Sequence, residues 1–157
     1  MDANGKRWAY EDFVPGMVLD LGSMPVSAKE IIEFAKEFDP QPMHLDEEAG
    51  EASVLGGLSA AGFHVGSMMM RLMCDGFLLD STSQGAPGLD FLHWRKPVLA
   101  GDTISLKMTV EAKRESKSRP NLGLVTLRQE LSNQHGEQVC DMQSTVMFLK
   151  RNGSESR

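Results

Sequence analysis

Residues 56–76 read GGLSAAGFHVGSMMMRLMCDG: small residues first, four methionines later, and no acid before Asp75. A helix that is apolar on nearly all sides must be buried on nearly all sides. The rest of the chain therefore has to supply a wrapping for this one segment. The methionines read as core packing rather than a lipid-facing surface, because flexible thioethers fill irregular interior gaps.

The wrapping follows in the sequence. Residues 86–98, 103–116, 121–133 and 137–150 have strand character. Ile104, Leu106, Met108 and Val110 alternate cleanly; Leu122, Leu124 and, after a shift in phase, Leu127 form the next set; Val139, Met142 and Val146 are less regular. Gly101-Asp102, Pro120-Asn121 and NQHG at 133–136 separate them. A short strand fits within residues 16–27. Ser27 then opens a helix, with Glu30 completing a capping-box pattern and Ala28, Ile31, Ile32, Ala35 and Phe38 forming one apolar stripe. DEEAGEA at 46–52 predicts a single helical turn whose acids suit its N-terminus. Strands following a buried helix predict an α+β domain. An antiparallel sheet wrapped around one long central helix is the hotdog fold.

A chain of 157 residues is read as one domain, with its core over about residues 12–150 and loose ends at 1–10 and 151–157. The net charge of -6 carries no electrostatic footprint for nucleic acid. Cys74 and Cys140 are the only cysteines and form no CxxC pair, which points to a reducing compartment and away from a thiolate metal site. The start lacks the apolar core of a signal peptide. No run approaches the ~20 apolar residues that cross a bilayer. The expectation is a cytoplasmic protein with no membrane or nucleic-acid partner.

Chemistry concentrates in FAKEFDPQPMHLD, residues 34–46, where Asp39 and His44 flank Pro40 and Pro42. Proline cannot continue a helix, so both polar side chains are expected on a stiffened loop rather than a helical face. An Asp before proline is also an ordinary turn residue. GLSAA at 57–61 falls one glycine short of G-x-S-x-G and lacks the strands that motif needs, so Ser59 reads as a helix-packing residue. His44, Asp46 and His64 have no established metal-ligand spacing. His64, on the buried helix, reads as a hydrogen-bonded core or interface residue. His93 and His135 fall in strand and turn contexts. KRESKSR at 113–119 is the one dense basic cluster, and Arg71, Arg95 and Lys96 lie near motif positions.

FAKEFDPQPMHLD, then GGLSAAGFHVGSMMMRL, then LDFLHWRKPVLAGDTISLKMTV resembles the MaoC-like dehydratases, which include the (R)-specific enoyl-CoA hydratases. The likeness spans about residues 12–150, and its most specific part is the D-x-x-P-x-H arrangement of Asp39, Pro42 and His44. The resemblance implies a hotdog fold, a homodimer or higher homo-oligomer, and reversible hydration of an acyl-CoA thioester with no metal or organic cofactor. It places the acid–base pair on Asp39 and His44. It places the oxyanion-binding N–H at the start of the buried helix, on Gly57, with Met43 and Leu58 as further substrate contacts. Some hydratases of the family carry a serine eight residues beyond that glycine that helps hold the histidine loop; here the position is Val65, so either another group holds the loop or activity is altered.

Hydrating a conjugated thioester requires a proton taken from water, a proton given to the α-carbon, and stabilised charge on the thioester oxygen. A carboxylate and an imidazole sharing one water meet the first two needs. Two alternatives remain open. A hotdog thioesterase often uses a carboxylate near or on the central helix, and none occurs between Gly56 and Cys74. A non-catalytic acyl-CoA-binding module is the other.

Overall fold

The alternation in the second half of the sequence resolves into three long strands, β3 (Thr103–Glu115), β4 (Leu122–Ser132) and β5 (Gln138–Leu149). In the computed structural model, which describes residues 5–151, these pair antiparallel in succession. The eight-residue β1 (Val18–Pro25) adds to β3, and β2 (Leu89–Trp94) adds to β5, giving one five-stranded sheet ordered β1-β3-β4-β5-β2.

Ile104, Leu106, Met108 and Val110 are buried as their alternation requires. On β4 the inward phase runs unbroken through Val125, Leu127, Gln129 and Leu131, with no shift at Leu127. Leu124 falls on the opposite phase and is only half-buried. The glycine in the inward phase explains why the sequence looked shifted. A Cβ on Gly123 would sit 2.0 Å from Cδ2 of Tyr10, whose ring fills that place instead. On β5, Cys140, Met142, Ser144, Val146 and Phe148 are buried. Val139 is buried beside them because the β4–β5 register shifts at Leu131/Ser132.

The apolar segment forms α4 (Gly62–Gly76). Met68, Met69, Leu72 and Met73 are buried in one core with Leu106, Met108, Leu127 and Leu131 of the sheet, whereas Met70 is 44% exposed. A sheet curved around one apolar helix is the hotdog fold. Phe13, Phe77 and Phe148 close one end of the core, with ring centroids 4.5 Å apart for Phe13–Phe148 and 6.0 Å for Phe13–Phe77. Truncating one such buried ring costs about 3–5 kcal/mol.

The expected loose ends are tied down where they are described. Trp8 bridges to Ser81, Ala9 is fully buried, and the Arg151 backbone N–H donates to Glu11 Oε2 at 2.8 Å. The remaining terminal residues, 1–4 and 152–157, lie outside the described residues. Among the described residues no helix is long and apolar enough to cross a membrane.

Candidate active site

The helix that precedes the polar motif, α1 (Ala28–Phe38), starts as its sequence predicts: Ser27 Oγ accepts from the Glu30 N–H at 3.0 Å. Its buried face is Ile31 and Ala35, while Ala28 and Phe38 are exposed, so the apolar stripe is shorter than the periodicity suggests. Asp39 ends the helix as its C-cap. His44 does not sit on an irregular loop. Pro42 occupies the first position of a one-turn helix, α2 (Pro42–Leu45), which carries His44. Proline bars helix continuation but suits helix initiation, because the first-turn N–H it lacks would have no intrahelical partner. Asp46 then caps α3 (Glu47–Ala52), accepting from Ala49 N–H at 2.9 Å.

This geometry directs both side chains to one point. His44 is 5% exposed, and its Nε2 lies 3.7 Å from Asp39 Oδ2. That separation is too long for a direct hydrogen bond and suits two groups that share a water. Gln41 Nε2 donates to the other carboxylate oxygen, Oδ1, at 2.7 Å, so Asp39 presents Oδ2 to the histidine. His44 Nδ1 lies 2.7 Å from the Ser59 carbonyl and 3.3 Å from the Ser59 hydroxyl. A carbonyl only accepts, so Nδ1 carries a proton, and in the neutral form of the ring it is Nε2 that has the lone pair, on the side of Asp39.

Ser59 is thus a holding residue, not a helix-packing one. It supplies the hold that the central helix lacks at Val65. Before α4 the chain bends at Gly57 and then pairs at Ser59 with Leu99 in an isolated antiparallel bridge. The Ser59 N–H donates to the Met43 carbonyl at 3.3 Å, the Ala60 N–H to the Val98 carbonyl at 2.8 Å, and the Ala100 N–H to the Leu58 carbonyl at 3.0 Å. No local pattern in the sequence announces this pairing across fifteen residues.

A cavity of about 480 Å³ opens at this point. Asp39, Gln41, His44 and Ser59 line its polar part, and Leu55, Val65, Val98 and Trp94 its apolar part. Asp39 is the only carboxylate among the lining residues. The three residues expected to touch substrate beside the pair do not line it. Gly57 packs against α3, where a Cβ on Gly50 would lie 2.4 Å from the Gly57 oxygen. Met43 and Leu58 hold the 58–60 segment through their carbonyls. The buried helix starts five residues after Gly57, at Gly62, and it is Gly62 and Phe63 that line the cavity. No side chain caps this helix end, leaving its first-turn N–H groups for a ligand. Trp94 Nε1 donates to the Gly62 carbonyl at 2.9 Å, which fixes the end of β2 to the start of α4. A Cβ on Gly62 would fall 2.8 Å from the indole, so only glycine fits there.

Neither cysteine offers a nucleophile to this cavity. Burial pushes the Cys140 thiol up to about 12, and Cys74 is not among the lining residues. His64 is buried on α4 and stacked on Phe34 at 4.7 Å, outside the cavity lining. Its Nδ1 has no hydrogen-bond partner among the described residues, contrary to the expected hydrogen-bonded role.

Relatives agree with this architecture. A Rhodospirillum rubrum structure described as a MaoC-like dehydratase superposes with TM-score 0.80 at 38% identity, covering 91% of this chain and 97% of that one. An (R)-hydratase from A. caviae involved in PHA biosynthesis gives TM-score 0.70 at 22% identity, over 87% of this chain and 97% of its own, a likeness of fold alone. The Bacillus subtilis protein YdeM is 30% identical over 141 residues, 89% of this chain and 98% of its own length, and is described as uncharacterized. Residues 12–132 match the MaoC-like domain as a family. The chain belongs to the MaoC-like dehydratase family.

Proposed function

We propose that the protein reversibly hydrates a 2-enoyl-CoA to the 3-hydroxyacyl-CoA, with coenzyme A as part of the substrate and no further cofactor. The observation that carries this reading is His44 Nε2 facing Asp39 Oδ2 at 3.7 Å inside a largely apolar cavity. A water held by both groups loses a proton to the pair as its oxygen bonds to the β-carbon. The pair returns a proton to the α-carbon, and the site ends in its starting state. The electron pair of the double bond moves toward the thioester oxygen in between. The first-turn N–H groups at Gly62 and Phe63 are the donors we assign to that oxygen.

The site is completed, in this reading, by a homodimer. The edge strand β2 leaves Leu89 and Trp94 about half exposed, and Phe63 beside Trp94 is 74% exposed. An unpaired edge bearing apolar side chains calls for a partner.

Crotonyl-CoA tests the reaction. Absorbance of the enoyl thioester should fall without release of free thiol. Free thiol with the double bond retained would mean hydrolysis, and tight binding without either change would mean a binding module. Either result overturns the hydratase assignment.

A further inference from the structure

Two cations line the cavity, and the fold treats them differently. Lys96 is paired with Glu137. Arg95 is held by a carboxylate that cannot neutralise everything around it. Asp141 stands on β5 between the inward-facing Cys140 and Met142, so it lies on the face of the sheet turned away from α4. Its side chain is nonetheless fully buried, covered by its cationic partners. Arg95 Nε donates to Oδ1 at 2.6 Å and Arg95 Nη2 donates to Oδ2 at 3.0 Å, a two-pronged clamp. Arg128 Nη2 donates to the same Oδ2 at 3.2 Å, and His93 Nδ1 lies 3.5 Å from Oδ1.

One carboxylate thus faces two guanidiniums, leaving a positive charge in excess. The hydrogen bonds around Arg95 leave it available at one nitrogen. Arg95 Nη2 also meets His93 Nδ1 at 3.2 Å, which occupies its second hydrogen. Nη1, with two N–H groups, has no acceptor among the described residues. The Arg95 backbone is fixed as well, its N–H donating to the Val139 carbonyl at 2.8 Å. A guanidinium clamped along one edge, with Nη1 left open, is a preorganised donor for an oxyanion. The other basic groups noted in the sequence do not compete: Arg71 pairs with Asp75 on α4, and neither it nor the 113–119 cluster lines the cavity.

Position decides which oxyanion. The His44 side chain is 7% exposed and marks the enclosed end, where the reacting carbons must lie. The Arg95 side chain is 45% exposed and the neighbouring Lys96 52%, which marks the rim, where the carrier leaves the cavity. We propose that Asp141 positions Arg95 so that its open Nη1 binds a phosphate of the thiol carrier at the cavity rim. This rests on the thioester reading above, with Asp141 acting through Arg95 as a positioning residue.

Steady-state kinetics of wild type, Arg95→Gln and Asp141→Asn should be compared on crotonyl-CoA and on the crotonyl thioester of N-acetylcysteamine, which has no phosphate. Arg95→Gln should raise KM for the CoA ester about 10–10²-fold, the worth of a charge-assisted contact, with kcat changed far less. Its penalty on the phosphate-free ester should be at least ~10-fold smaller. Asp141→Asn should act in the same direction and more weakly, since Arg95 stays charged but loses its clamp. Equal penalties on both esters, or none on either, would overturn the proposal. So would a penalty confined to N-acetylcysteamine esters whose acyl group ends in a carboxylate. Asp141→Asn risks unfolding by leaving Arg128 unpaired, but Arg95→Gln alters a half-exposed side chain and keeps the test decisive. Calorimetric titration with coenzyme A itself needs no turnover. Weaker binding to Arg95→Gln supports the anchor even if crotonyl-CoA is not hydrated, and equal affinity in both proteins overturns it even if hydration proceeds.

Discussion

His44 Nδ1 donates to the backbone carbonyl of Ser59 at 2.7 Å, and this one bond decides which nitrogen of the ring is basic. The 15N shifts of His44 should therefore report the Nδ1-protonated tautomer. A ring protonated at Nε2 would remove the proton acceptor from the proposed mechanism. Ser59→Ala deletes only the hydroxyl contact at 3.3 Å and keeps the carbonyl. Its kcat should fall by less than ~10-fold, the scale of a neutral hydrogen bond.

Asp39→Asn and His44→Ala should each lower kcat by at least ~10²-fold, the usual worth of an acid–base group. The double variant should be little worse than either single one, because in the proposed mechanism the two share one water and act as a unit. If both singles stay within a few-fold of wild type, the pair is not the proton-handling device.

The helix-start assignment separates two glycines. A Cβ on Gly57 meets Leu99 Cδ2 at 3.4 Å, an ordinary contact, so Gly57→Ala should keep near-wild-type kcat and KM. Gly62→Ala drives a methyl into the Trp94 indole at the cavity wall. It should cost about 1–3 kcal/mol of stability through overpacking and most of the activity. The reverse ranking in paired melting and kinetic measurements would return the oxyanion site to Gly57.

Stability should vary with pH in two separate windows. Burial lowers the His64 pKa from its ordinary 6.5, with Glu30 opposing. Between the unfolded and folded values the unfolded chain holds more protons, so this contribution is complete above 6.5 and fades as pH falls below it. The Asp141 carboxyl is held below its ordinary 3.8, first by the hydrogen bonds from Arg95. Its contribution is present above 3.8 and is lost as pH falls through the folded value. Urea midpoints measured from pH 8 to 5 should therefore decline, and His64→Phe should flatten that decline. An unchanged slope in the variant would assign the decline to another group.

Light scattering should give a mass near twice 17.3 kDa. Leu89→Asp on the exposed edge strand should shift the protein toward monomer and lower kcat along with it. A variant that is monomeric and fully active would show that the site is complete within one chain.

What the sequence determined by itself is what depends on local periodicity and composition. The all-round apolarity of residues 56–76 required a buried helix, and the alternation from Ile104 to Val110 required one buried strand face. The capping pair Ser27 and Glu30 marked the start of α1, and the D-x-x-P-x-H spacing brought Asp39 and His44 together. The contacts between segments could be settled only by the tertiary structure. The start of α4 moved from Gly57 to Gly62 because residues 58–60 are bonded to Met43, Val98 and Ala100, which holds them out of the helix. Ser59 gained its role for the same reason, since it meets His44 only when those bonds are made. Tyr10 replaced an inward side chain at Gly123, which made β4 look out of phase. The distinction between Arg95 and the other basic residues came from Asp141, forty-six positions away, because a buried carboxylate fixes a guanidinium only where the folded sheet brings them into contact.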